Sequence, residues 1–174
     1  MLPINIGLDF GTSFSKICVR GPRSIGVEVC TFGKNLPEDA LLPSKIWVTE
    51  DGAISLPFDG TNQPEGALIE YPKMALADLS SLRVTGATKE LQTKIEKSIE
   101  PLCALYLAHA LGLAKKWVRK NWEKYLGGEQ VEWSANVGVP VEHLDSAAED
   151  GFACVLAVAW RWTHADQLPT NIDQ

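Results

Sequence analysis

The chain has 174 residues, of which 45% are hydrophobic and 22% charged, and a formal net charge of −6 at pH 7. That length and balance predict one folded domain with a sizeable core and exclude a disordered chain. The acidic excess gives no electrostatic reason to bind a phosphate backbone, so nucleic acid is not expected as a partner.

In chain order, Ile4 to Asp9 form a short apolar run ended by Gly11, and Ser15 to Arg20 resume with alternating Ile17 and Val19. Two strands joined by a tight turn are predicted. Gly21-Pro22 breaks the second run, after which Ile25, Val27 and Val29 alternate up to Gly33. Consecutive strands this close favour an antiparallel meander. From Lys34 to about Thr88, Pro37, Pro43, Pro57, Pro64 and Pro72 punctuate the chain, and an irregular insertion is expected. Within it, Lys45 to Thr49 and Ala53 to Leu56 flank Glu50-Asp51-Gly52, which predicts one small hairpin.

Lys89 to Ile99 have helical composition, and Pro101 either kinks that helix or opens a new one. Leu107, Leu111, Ala114, Val118, Trp122 and Tyr125 then recur at steps of three or four, an apolar stripe that ends at Gly127-Gly128. Val131 to Val139 reads as a strand closed by Pro140. Ser146-x-x-Glu149 resembles a capping box ahead of an apolar helix from Phe152 to Trp162. The tail THADQLPTNIDQ is polar and promises no further core element. The resulting expectation is an α/β fold divided into a first core segment with the hairpin (1–33), a peripheral insertion (34–100), a long helix, strand and helix of the core (101–162) and a polar tail (163–174).

Cys18, Cys30, Cys103 and Cys154 lack C-x-x-C spacing, so neither a zinc site nor a disulfide framework is predicted, and buried free thiols are expected. The amino terminus has no basic segment and no apolar run is long enough to span a bilayer, so no membrane association is expected and the location is read as cytoplasmic. His109, His143 and His164 lack metal-ligand spacing. The tryptophans Trp117, Trp122, Trp160 and Trp162 fall at helical positions and are expected to fill a core or cover a neighbouring lobe. Lys115, Lys116, Arg119 and Lys120 read as the solvated face of the long helix.

The sharpest local signal is Gly7-Leu8-Asp9-Phe10-Gly11-Thr12-Ser13-Phe14-Ser15-Lys16, an apolar strand running into an acidic residue and a Gly-Thr-Ser turn. Gly11 lets the backbone approach a ligand, amides and hydroxyls at Thr12 and Ser13 can donate to phosphate, and Asp9 can hold a hydrated Mg²⁺. The same residues also suit an ordinary hairpin turn.

This segment resembles the first phosphate-binding motif of the actin, sugar-kinase and heat-shock chaperone superfamily. Further along, Asn136-Val137-Gly138-Val139-Pro140 with Leu144-Asp145-Ser146 is similar to the strand, Val-Pro turn and capped helix of the seventy-kilodalton heat-shock chaperones, with Pro140 as the switch proline. Leu42-Pro43-Ser44-Lys45-Ile46-Trp47-Val48 resembles the opening of their peripheral lobe. Tyr71-Pro72-Lys73 resembles the place of their catalytic lysine, which steers the attacking water; the alternative is an exposed loop lysine. Ala148 stands where the chaperones carry an arginine that links nucleotide and substrate domains.

The resemblance implies a ribonuclease H-like, actin-type ATPase lobe, here its amino-terminal fragment, with a mixed sheet. It implies ATP and Mg²⁺ as cofactors, with Asp9 at the metal, Gly11, Thr12 and Ser13 at the phosphates and Lys73 catalytic. The implied partners are the nucleotide, the remainder of the same ATPase domain and a client polypeptide or co-chaperone. The family's second phosphate loop, its second acidic residue and its adenosine segment have no counterpart here, so the fragment alone is expected to be inactive. A sugar kinase, an actin-like filament former and a non-hydrolysing binding module are the alternatives within that superfamily.

Overall fold

The computed structural model describes residues 1–33, 36–57, 65–138, 147–165 and 167–174. Strands β1 (Leu2–Asp9), β2 (Phe14–Arg20) and β3 (Val27–Val29) form the expected meander. β1 and β2 are antiparallel with Asp9 opposite Lys16, and β2 continues antiparallel to β3. A two-residue strand, β4 (Leu42–Pro43), shares the outer edge of β2 near its start. Alternation decides the faces: Ile4, Ile6 and Leu8 of β1 and Ile17 and Val19 of β2 are buried, while Asp9, Lys16 and Cys18 face outward.

The insertion is more regular than its prolines imply. β5 (Lys45–Val48) and β6 (Ile54–Ser55) form the expected hairpin, with Gly52 at φ +84° in its turn. β7 (Ala67–Glu70) and β8 (Arg83–Thr85), which local pattern did not reveal, complete a four-stranded antiparallel sheet in the order β6-β5-β7-β8. The short helix α1 (Pro72–Ala77) lies between β7 and β8. The buried residues of both sheets belong to one continuous apolar cluster, so the small sheet packs on the same core as the large one.

Helix α2 (Lys89–Lys97) is capped by Thr88, whose hydroxyl accepts from the Leu91 amide. A new helix, α3 (Ile99–Asn121), follows at once, with Pro101 in its first turn, where a missing N–H costs nothing. Every residue from Leu102 to Ala108 is buried, as befits a helix apolar nearly all round. The short α4 (Glu123–Leu126) ends in Gly127, left-handed at φ +52°. Trp122 is buried and its indole donates to the Glu28 carboxylate at 3.0 Å, whereas Tyr125, assigned to the same stripe, is 61% exposed because the helix breaks between them.

Strand β9 (Val131–Val137) then runs parallel to β1, giving the order β3-β2-β1-β9, and α5 (Ala147–Trp162) packs on α3. The architecture is α/β with a mixed sheet. Val139, Pro140, His143, Leu144, Asp145 and Ser146 lie outside the described residues, as does the Ala148 side chain, so the switch-proline and capping-box expectations fall there.

Three expectations are corrected. The tail is not free of the core: Leu168 and Ile172 pack against it, and Asn171 bridges antiparallel to Ala53, with the Ile54 amide donating to the Thr170 carbonyl at 2.8 Å. Only Cys30 and Cys103 are buried, because Cys18 sits on the outward face of β2 and Cys154 on the outer face of α5. Burial, with smaller contributions from Cys18 and Glu28, pushes the Cys30 thiol up to about 12.

The third correction concerns Lys115, which is not on a solvated face but only 6% exposed. Its ammonium lies 4.4 Å from the Trp160 ring centre and 5.8 Å from that of Trp133, and donates to the Thr163 hydroxyl at 2.8 Å. The cation–π contacts replace part of the lost hydration, and no carboxylate among the described residues pairs with it. Burial, and secondarily the nearby Arg119 charge, lowers its pKa below the ordinary 10.5. Between the lowered value and 10.5 the unfolded chain binds more protons at this residue than the folded one, so stability contributed here rises with pH across that window. Lys115→Met is expected to melt at or above the wild-type temperature at neutral pH and to lose that alkaline gain. Melting curves of both proteins from neutral to alkaline pH check this, and a difference that stays constant with pH contradicts it.

Candidate functional site

The β1–β2 connection is held from below by a buried polar knot. Ser15, Ser44 and Tyr106 are each at most 1% exposed. The Ser44 hydroxyl donates to the Gly11 carbonyl at 2.8 Å and lies 3.1 Å from the Ser15 hydroxyl, while the Ser44 amide donates to the Ser13 carbonyl at 2.9 Å. From α3, Tyr106 donates to the Leu42 carbonyl at 3.3 Å and stacks on Phe10 with ring centres 5.5 Å apart. Burial pushes the Tyr106 phenol up, partly offset by the Ser15 and Ser44 hydroxyls. The turn is therefore tied to both the long helix and the start of the small sheet.

Gly11 is required by this packing. A Cβ there would lie 2.0 Å from the Phe14 carbonyl oxygen, a backbone atom that cannot step aside. Thr12 and Ser13 at the tip are exposed, and their hydroxyls make no hydrogen bond among the described residues.

Beside the tip, on the outward face of the large sheet, lies an open cleft of about 440 Å³. Its floor is Gly7 with Gly138, and its rim carries Asp9, Lys16 and Asn136. Gly7 keeps the floor low, since a Cβ there would lie 2.8 Å from the Cys18 sulfur. Asn136 donates to the Asn5 side-chain oxygen at 3.2 Å, and Asn5 in turn donates to the Ser134 hydroxyl at 2.9 Å, which orients the β9 side of the cleft. Asp9 and Lys16 are opposite in register but form no ion pair within 4 Å. The Asp9 carboxylate has no hydrogen-bond partner among the described residues. Because β1 and β9 are parallel, Asp9 and Gly138 both stand at carboxyl ends of strands, where open α/β sheets bind ligands.

The arrangement offers a carboxylate for a cation next to an ammonium and exposed turn amides for an anion. Among the described residues no group of three or more His, Cys, Asp or Glu is placed to hold a metal ion. One carboxylate with neighbouring hydroxyls suits Mg²⁺, which keeps several waters and shares its shell with ligand phosphates, better than it suits Zn²⁺ or Ca²⁺.

Asp9 lines the cleft, and Gly11, Thr12 and Ser13 form the tip next to it. Lys73 does not line it: it is half-buried in the first turn of α1, after Tyr71 in the left-handed conformation, on a helix packed against α3 and α5. Lys16 and Ser44 fall within the two segments singled out from sequence, which assigned neither of them a role. Lys16 becomes a candidate only through the hairpin register, and Ser44 only through a contact across 33 positions.

Comparison with family models, with curated proteins and with solved structures finds no match. Among the described residues no helix is long and apolar enough to cross a membrane.

Gly11→Ala is expected to destabilise the fold by about 1–3 kcal/mol, through overpacking against immobile backbone. Chemical denaturation measures it, and a loss within experimental error would show that the turn is not held as described.

Proposed function

We propose that the cleft beside the β1–β2 turn is one half of a Mg²⁺-nucleotide site, of the kind used by the chaperone branch of the actin, sugar-kinase and heat-shock superfamily. The observation that carries the reading is the Asp9 carboxylate at the carboxyl end of β1, without a hydrogen-bond partner among the described residues, next to Lys16 and the exposed Thr12–Ser13 turn. Support also comes from topology. A meander of three strands, a long returning helix and a fourth strand parallel to the first follow the connectivity of a ribonuclease H-like lobe. The chaperone branch is preferred to the sugar kinases because β9 ends at Asn136-Val137-Gly138 and the chain goes on to α5, in the order of the chaperone segment.

In this reading Asp9 holds water molecules of the metal shell, the amides and hydroxyls of Thr12 and Ser13 donate to terminal phosphate oxygens, and Lys16 adds positive charge at the same rim. Bound Mg²⁺ supplies neutralisation of the phosphate charge that builds up in phosphoryl transfer. Lys73 is assigned the water-steering role by resemblance alone. The second phosphate loop, of the form Asp-x-Gly-Gly-Gly-Thr, and the adenosine pocket belong to the remainder of the same ATPase domain, which these residues do not supply. A client polypeptide or co-chaperone is the partner such a domain serves, in a cytoplasmic setting.

Asp9→Ala in the complete ATPase is expected to lower Mg²⁺-ATP turnover by roughly 10²-fold, the scale on which charge-stabilising groups act. For the 174-residue chain, titration with Mg²⁺ and ATP is expected to shift the amide resonances of Gly11, Thr12, Ser13 and Gly138, and Asp9→Ala to remove the Mg²⁺-dependent part. Unchanged turnover, or shifts confined to other faces, would remove the site from consideration.

A further inference from the structure

On the outward face of the large sheet, strand register sets the side chains around the cleft in rows. Asn5 stands beside Ser134 and Gly7 beside Asn136, with Asp9 one row further on, at the carboxyl ends of the strands. Asn136 is exposed, and it lines the cleft together with Asp9 across the glycine floor. Its Nδ2 donates to the Asn5 side-chain oxygen at 3.2 Å, and Asn5 Nδ2 donates to the Ser134 hydroxyl at 2.9 Å. This chain of bonds fixes which end of the Asn136 amide is spent. Nδ2 is turned toward Asn5, on the amino-terminal side of the cleft, and Oδ1 meets no hydrogen bond among the described residues. An amide oxygen accepts and cannot donate.

Acceptors and donors around the cleft are therefore segregated. Asp9 and Asn136, on β1 and β9, present oxygens, whereas Lys16 on β2 and the amides of the Thr12–Ser13 turn present protons. Phosphate oxygens belong with the donors and are repelled by the acceptors. A hydrated cation has the opposite preference, since the waters it keeps turn their protons outward.

We propose that Asn136 supplies the second oxygen of the metal's outer shell, accepting from a Mg²⁺-bound water on the side of the ion away from Asp9, and that Asn5 is its positioning residue. The assignment rests on the Mg²⁺-nucleotide reading of the cleft and adds an orientation to it, with the metal over the β1–β9 floor and the phosphates over the turn. The spacing suits one ion. Neighbouring strands lie about 5 Å apart and successive residues of one face about 7 Å apart, which sets the Asp9 and Asn136 Cα atoms about 8 Å apart on the diagonal. Mg²⁺ holds its waters at about 2 Å and each water reaches an acceptor about 2.7 Å further out, so two acceptors of one hydrated ion stand up to about 9 Å apart.

The probe is hexaamminecobalt(III), which has the shape of hydrated Mg²⁺ but does not exchange its ligands, so it reports contacts made through the outer shell alone. Added to the 174-residue chain, it is expected to shift the backbone amide resonances of Gly7, Asp9 and Gly138 and the side-chain amide of Asn136. Asn136→Ala is expected to weaken this binding about 3–10-fold, the scale of one hydrogen bond. Asn136→Asp keeps an acceptor oxygen and is expected to bind at least as tightly as wild type. Asn5→Ala is expected to weaken binding in the wild-type background and to add nothing to Asn136→Ala, because the two residues act as one unit. With ATP present, Asn136→Ala is expected to reduce the Mg²⁺-dependent shift at Gly138 and to leave the shifts that ATP alone causes at Thr12 and Ser13. If Asp9→Ala abolishes binding of the probe while Asn136→Ala binds as wild type does, the assignment is overturned and the nucleotide reading stands. A loss in Asn136→Asp as large as in Asn136→Ala overturns it in the same way. Shifts confined to other faces, or undiminished by Asp9→Ala, overturn both.

Discussion

Between Leu102 and Ala108 helix α3 has no side open to water, and the other elements are arranged around that constraint. The buried run from Leu102 to Ala108 demands neighbours in several directions. The inner face of β1 and β2 lies on one side of it, α5 on another, and α1 and α2 pack against it as well. Leu102, Tyr106, Leu107 and Leu111 are all among the largest fully buried side chains. Burying apolar surface is the dominant favourable term in folding, and α3 supplies more of the buried apolar residues than any other element described. Buried residues of the large sheet, the small sheet and this helix belong to one apolar cluster.

From this helix the polar knot follows. Tyr106 reaches out of the apolar interior with its hydroxyl on the Leu42 carbonyl, and the Ser15 and Ser44 hydroxyls sit close by. Hydroxyls buried this deeply are costly unless satisfied, and among the described buried side chains none is left without a partner. The result is a turn whose underside is rigid and whose tip, at Thr12 and Ser13, is open. A rigid support beneath exposed donors is what anion recognition requires, because little ordering entropy remains to be lost on binding.

Much of the framework was legible in local pattern. Period-two alternation gave the meander, Asp51-Gly52 gave the small hairpin, and Pro101 with the apolar stripe gave the start of α3. Asp9 and Gly11 were legible as a turn with chemistry in it, because residue type alone restricts what they can do. The rest depended on distant partners. β7 and β8 are strands of 4 and 3 residues between glycines, too short to show a period, and they exist because β5 offers an edge. Lys115 read as solvated because its three basic neighbours are, and only the approach of Trp133 and Trp160 from other elements encloses it. The place of Lys73 on α1, away from the cleft lining, is likewise a matter of tertiary packing that no short window contains.

The docking of the tail on β6 sets an order of events. Asn171 donates to the Asp51 carbonyl, and Gly52 sits so close to Asn171 that a methyl group at that glycine would collide with the side-chain oxygen at 2.8 Å. The edge of the small sheet is thus finished by residues synthesised some 120 positions after it. During synthesis the hairpin of β5 and β6 emerges early and waits, its outer rim unmatched, until the last of these residues leaves the ribosome. That interval is when a passing strand from another nascent chain can take the vacant place.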